Sequence, residues 1–195
     1  MESTSALTEQ LTTRQRQLVD ELVDLFLAEG FVHLTLDDLA SRLGCSKRTL
    51  YALADSKEQL AVRTVRSFFR RSTEQVEAAI ARTRSPATRL TRYLEAVAEA
   101  LRPAGPQFRR DLARTATTRE LYEQNAVAAA DRVRVLIDEG IRAGAFRNVS
   151  AVFVGEVVTA TMRRITSGEI GRATALDDAQ AYAELARLVV AALRR

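Results

Sequence analysis

Along this chain, apolar residues recur at three- and four-residue intervals. The recurrences stop at Gly, Pro or short polar breaks, the pattern of stacked amphipathic helices. Leu18, Val19, Leu22, Leu25 and Phe26 share one face of a first helix that begins near Thr12. Thr12 and Gln15 fit a capping box at its start, and Gly30 suits a left-handed residue just past its end. After a short apolar connector, Phe31 to Leu34, Thr35 caps a second helix with Asp37 and Asp38 in its electropositive first turn. Leu36, Leu39, Ala40 and Leu43 form its inner face, and Gly44 stands where a sharp turn wants positive φ. Ser46 then caps a third helix in which Leu50 and Leu53 point inward. Ser56 with Gln59 opens a fourth helix running to about Ala81. Ala40, Gly44 and Leu50 stand at the spacings by which two short helices cross steeply around a turn, so residues 35–57 read as a helix-turn-helix.

The remaining pattern is also helical. Pro86 opens a helix to about Leu101, and Pro-Ala-Gly-Pro at 103–106 breaks the chain. A short helix near Phe108 to Thr115 follows, then a long one from about Thr118 to Ala143. Val149 to Thr166 is the most apolar helix of this half, Ser167 to Gly171 reads as a turn, and Ala175 to Leu193 closes the chain. The expectation is an all-α fold of about nine helices. Its parts would be a flexible tail at 1–11, a three-helix unit at 12–60 that carries the helix-turn-helix, and a larger helical unit at 61–195.

Composition agrees with helix and narrows the function. Three Pro, none before Pro86, and eight Gly leave few breakers in 195 residues. No apolar run approaches the roughly 20 residues of a membrane span, and the first ten residues lack a secretion signal. One Cys admits no intrachain disulfide and suits a reducing cytoplasm, the expected location. The net charge of +4 is unevenly spread: residues 1–60 carry six basic and ten acidic side chains, a net of −4. DNA binding there must come from placement of charge, and both lysines of the chain, Lys47 and Lys57, lie in or at the edge of the helix-turn-helix.

A helix entering the major groove by its N-terminus offers free backbone N–H groups and short polar side chains. Ser46, Thr49 and Tyr51 are candidates for phosphates or base edges, and Lys47 and Arg48 supply charge. Arg can address guanine bidentately. The plainer alternative is a three-helix core with solvated charges. His33, the lone His, reads as a packing or surface residue, and Cys45 as a buried structural thiol. One His and one Cys supply no zinc site, so neither metal nor cofactor is expected. No nucleophile, paired acid and base, or Gly-rich phosphate loop appears, and we read the chain as not an enzyme.

Residues 14–60 resemble the DNA-binding domain of the tetracycline-repressor (TetR) family. The resemblance rests on Leu25-Phe26, Gly30-Phe31, Thr35-Leu36, Leu39-Ala40, Gly44-Cys45-Ser46, Thr49-Leu50-Tyr51 and Ser56-Lys57-Glu58 with Leu60. It implies a two-fold homodimer on a palindromic operator in double-stranded DNA, usually a repressor released by a small-molecule effector. It further implies that Thr35, Tyr51 and Lys57 hold phosphates while Lys47, Arg48 and Thr49 face bases. Leu53 and Ala54 depart from the His-Phe that many members carry. Beyond this stretch, the resemblance extends to helix order and to the Gly140 to Phe146 end of the long helix.

Two expectations concern the larger half. Phe153, Val154, Val157 and Val158 in one helix, and Tyr182, Leu185, Leu188 and Val189 in the last, form apolar bands suited to a dimer interface. By the resemblance, these two helices build a four-helix bundle across the two-fold axis. Phe69, Tyr93, Val97, Phe108, Leu112, Tyr122 and Met162 are candidates to line an effector pocket, with Arg109, Arg114 or Thr115 orienting the ligand. Plain helix packing explains any one of them equally well. The alternatives are a second half that only dimerises or binds a protein partner, or a TetR-like activator. The fourth helix, with Arg63, Arg66, Phe68, Phe69, Arg70 and Arg71, is the expected link between ligand and DNA.

Overall fold

The computed structural model describes residues 11–194, and all of its regular structure is helical among them. Ten helices follow in order: α1 (Thr13–Glu29), α2 (Leu36–Arg42), α3 (Lys47–Tyr51), α4 (Lys57–Ile80), α5 (Pro86–Leu101), α6 (Pro106–Arg114), α7 (Ala116–Arg142), α8 (Ala151–Thr166), α9 (Glu169–Thr174) and α10 (Asp178–Leu193). The added element is α9. Where the sequence pattern predicts a turn from Ser167 to Gly171, Gly168 takes φ 74° and a helical turn and a half starts directly after it. The last helix accordingly begins at Asp178, capped by Asp177 in a box with Gln180. Of the expected tail, residues 1–10 lie outside the described residues. Leu11 is half-buried against the N-terminal core.

Local chemistry sets the helix starts. Thr12 accepts from the Gln15 N–H and Gln15 returns the bond to the Thr12 N–H at 2.8 Å, closing the box that the sequence suggests. Thr35 does the same with Asp38. At α4, Ser56 caps Gln59, but the Gln59 side chain reaches one residue further back, to the Asp55 N–H at 3.2 Å. Gly30 has positive φ (83°) but an extended ψ (−174°), so it redirects the chain rather than closing a left-handed cap. Gly44, at φ 57°, makes the turn between α2 and α3.

Two apolar cores result. One joins α1, α2, α3, the first half of α4 and also α6, through Ala104, Phe108 and Leu112. Phe108 is fully buried there, its ring edge-on to Phe68 at 5.5 Å and to Phe31 at 6.0 Å. The other joins the end of α4 with α5, α7, α8 and α10. Helix α4 belongs to both. At ~1.5 Å per residue its 24 residues span about 36 Å.

Candidate functional site

Helix α3 buries Leu50 and turns its remaining side chains outward. Lys47, Arg48 and Tyr51 are exposed, and Tyr51 shows half its surface. Ser46 caps the helix by accepting from the Thr49 N–H, and the two hydroxyls lie 2.9 Å apart. Lys47 Nζ pairs with Asp37 Oδ1 at 2.7 Å, and this carboxylate raises the lysine pKa. Arg48 makes no salt bridge among the described residues. Thr35 is engaged in its own cap, its hydroxyl donating to Asp38 at 2.7 Å, which lowers the Asp38 pKa. Lys57 is half-buried and donates from Nζ to the Val32 carbonyl at 2.7 Å, so it braces the connector as well as lying near the surface. Leu53 is buried and Ala54 half-buried in the N-terminal core. Cys45 is half-buried, and burial pushes its thiol pKa up, away from reactivity.

Two cavities lie in the larger half. The first, about 250 Å³, is bounded by α4, α5, α7, α8 and α10 and includes Phe69, Tyr93, Val97, Tyr122 and Met162 among its walls. Its polar groups include Ser72, Thr73, Asn125, Thr159, Arg163 and Thr166, and the Glu77 carboxylate gripped by Arg132 at 2.7 and 2.8 Å. That carboxylate raises the Arg132 pKa. Burial pushes the Tyr93 phenol well above its usual pKa and that of Tyr182 up to about 12, so both are neutral donors at physiological pH. The second cavity, about 480 Å³, holds Phe108 and Leu112 together with Arg109 and Asp178, which form an ion pair. Phe69, Leu101, Tyr122, Thr166 and Tyr182 line both cavities and form the partition between them. The seven candidate pocket residues thus divide between two chambers. Of the proposed orienting groups only Arg109 lines a cavity; Arg114 is exposed and Thr115 caps α7.

On the far side, α8 and α10 present an almost wholly apolar groove lined by Phe153, Val154, Val157, Leu185, Leu188 and Val189. Phe153 is 69% exposed and Leu188 68%, and with Val157 they belong to one contiguous apolar patch, the kind of surface that marks an interaction site. Val158 and Tyr182 do not belong to this face. Both are buried inside the protomer, because they lie on the helix faces turned toward α5 and α7. Tyr182 is a cavity wall.

Comparison with known proteins falls into place against this geometry. Residues 18–64 match the bacterial regulatory proteins of the tetR family. The segment is a TetR-family domain. No curated protein matches the chain by sequence. The fold as a whole is similar to solved TetR-type regulators. A transcriptional regulator of Cytophaga hutchinsonii superposes with a TM-score of 0.77 at 14% identity, over 94% of this chain and 100% of that one. A TetR transcriptional regulator of Chloroflexus aurantiacus gives 0.74 at 21% identity, covering 92% and 96%. A transcriptional regulator of Saccharomonospora viridis, solved in complex with choline, gives 0.77 at 16% identity, covering 93% and 98%. Beyond that segment, the chain shares the fold of these regulators.

Within the TetR-type fold, several site residues carry no local signal in the sequence. Glu77 and Arg132 meet across 55 positions, and Asn125 and Thr159 face the cavity from two different helices. Asp111, which no motif in the sequence singles out, is fully buried against the connector that precedes α2. No helix among the described residues is long and apolar enough to cross a membrane.

Proposed function

We propose that this chain is a cytoplasmic repressor that binds a palindromic operator as a homodimer and leaves it when a small molecule occupies the larger half. Residues 12–60 form the DNA-binding unit, and residues 61–195 sense the effector and dimerise. The observation that carries the reading is the construction of α3. Leu50 is its one buried residue, while Lys47, Arg48 and Tyr51 project into solvent from the helix that Ser46 caps. Ser46, Thr49 and Tyr51 bond phosphates or base edges, with Thr35 and Lys57 on the flanking phosphates. The apolar groove on α8 and α10 supports pairing, since a palindrome needs two recognition helices held by a two-fold axis.

The cavities support the effector. Their walls are mainly apolar and aromatic with a few fixed polar groups, the usual make-up of a small-molecule site. The choline bound by the Saccharomonospora viridis regulator lends weight to a small ligand in this fold. Phe69, Val76 and Glu77 of α4 line the first cavity, while the N-terminus of α4 abuts the helix-turn-helix. A ligand that binds better when α4 is displaced shifts the population toward a spacing of recognition helices that no longer fits successive grooves.

Selection of bound DNA from a random pool tests the reading. The expected product is an inverted repeat with half-site centres about 34–36 Å apart. Sequences without two-fold symmetry would overturn it.

A further inference from the structure

The walls of the first cavity carry enough chemistry to name the class of molecule that fits it. Tyr122, Asn125, Ala126, Ala129 and Arg132 line it from α7, and their spacing puts them on one face of that helix. Alanine at two of these inward positions leaves open a space that larger apolar residues would close. Phe69, Tyr93, Tyr122 and Tyr182 enter from α4, α5, α7 and α10, so a ligand ring meets aromatic walls on several sides.

Two of the phenols donate to acceptors that hold them poorly. Tyr182 Oη lies 3.3 Å from the Thr166 hydroxyl, and because Thr166 donates to the Met162 carbonyl at 2.9 Å, the phenol is the donor. Tyr93 donates to the Ala129 carbonyl at 3.4 Å. Both bonds are long against the ~2.7–2.8 Å of a good O–H···O bond, so a stronger acceptor takes either proton. Charge decides the sign of that acceptor. Glu77 is the one acid lining this cavity among the described residues, and Arg132 closes on both of its oxygens. Arg163 also lines the cavity, is exposed, and forms no salt bridge among the described residues, Glu169 being taken by Arg164. It stands three residues before Thr166 on α8, hence on the same helix face and beside the Tyr182 phenol. One positive charge is left over. An ammonium ligand would add to it or break the Glu77–Arg132 fork, whereas an anion neutralises it.

We propose that the first cavity takes a compact lipophilic acid, its ring-bearing body among Phe69, Tyr93 and Tyr122 and its carboxylate on Arg163 and the Tyr182 phenol. This rests on the reading of the chain as an effector-responsive regulator and names the chemical class of the effector.

Isothermal titration calorimetry on the full-length protein tests it with matched sets of ligands. Phenyl, naphthyl and indolyl bodies each carry a short chain ending in a carboxylate, its primary amide or an amine. In the set that binds best, the acid should bind roughly tenfold or more tightly than its amide, and the amine more weakly still. Arg163→Gln, at an exposed position, should bring the acid down to the level of its amide and leave the amide unchanged. Ala126→Leu, which fills this cavity, should abolish binding of the acid, whereas Ala179→Leu in the second cavity should preserve it. The proposal is overturned by acids that bind no better than amides or amines, or by no binding of any acid. An acid preference that survives Arg163→Gln, or binding lost in Ala179→Leu and kept in Ala126→Leu, overturns it equally. Calorimetry is run without DNA, so a failed operator selection would remove the proposed function and leave the ligand class standing. A neutral compound that releases DNA from a protein indifferent to the acids would do the reverse.

Discussion

The apolar face of α8 and α10 makes a quantitative demand on the assembly. Phe153 and Leu188 are each about two-thirds exposed in the isolated protomer. Fully burying a side chain of this kind contributes roughly 1.5–3 kcal/mol, so covering the exposed part contributes about 1–2 kcal/mol per residue. In a two-fold dimer each residue appears twice, so Phe153→Ala or Leu188→Ala removes about 2–4 kcal/mol from association. At 1.4 kcal/mol per tenfold, the dimer dissociation constant should rise by roughly 30- to 1000-fold. Val127 is the control: it is 53% exposed on α7, away from the groove. Val127→Ala should leave association unchanged. Sedimentation equilibrium across a concentration series reads all three variants. A wild-type protein that is monomeric at micromolar concentration would refute the reasoning, as would Phe153 and Leu188 variants that associate no more weakly than Val127→Ala.

Two further outcomes follow from single side chains. Lys47→Ala should weaken binding to all DNA sequences and reduce the salt slope by about one, whereas Arg48→Ala should cost roughly 1–3 kcal/mol on the selected operator and relax its sequence preference; fluorescence anisotropy over a salt series separates them. Burial pushes the Tyr182 pKa up to about 12, from the usual phenol value of about 10. The unfolded chain then loses this proton first as pH rises, so stability is fully present below pH 10 and declines between about pH 10 and 12. Denaturant titrations of the wild type and Tyr182→Phe should show the variant losing less stability over that window. Tyr93, raised the same way, keeps part of the decline in both.

Helix periodicity and caps were legible because they are local. Thr12, Thr35, Ser46 and Ser56 each announce a helix start within three residues, and each holds one here. Helix α9 was not legible: six residues with two exposed ends carry too little periodicity to show through a Gly-rich stretch. The candidate pocket residues were chosen as apolar and aromatic, which identifies core but cannot say which core faces a cavity. Tyr182 shows the consequence. Its spacing with Leu185 and Val189 sets all three along one strip of α10, yet Leu185 and Val189 border the apolar groove while Tyr182, nearer the helix start, is buried against the two cavities. Distant polar pairs such as Glu77 with Arg132 have no sequence signature at all, since the meeting is set by how α4 and α7 cross.

The charge of residues 1–60 illustrates how far a sum departs from a surface. Ten acids against six bases argue against DNA, yet four of the acids are occupied in ways that keep them from acting alone. Asp20 pairs with Arg71 of α4 at 3.2 Å, Glu29 with Arg42, and Asp37 with Lys47. Asp38 is committed to the Thr35 cap. Arg71 enters from outside the segment, so the count at residue 60 omitted a cation that the fold returns. The pairs are exposed and individually weak, so a phosphate can take Lys47 from Asp37 at little cost. That exchange favours a site where several such contacts form together with Arg48 in register, over isolated phosphates that must compete with Asp37 one at a time. An acidic surround beside a short basic helix therefore opposes indiscriminate binding while leaving the helix able to read a sequence.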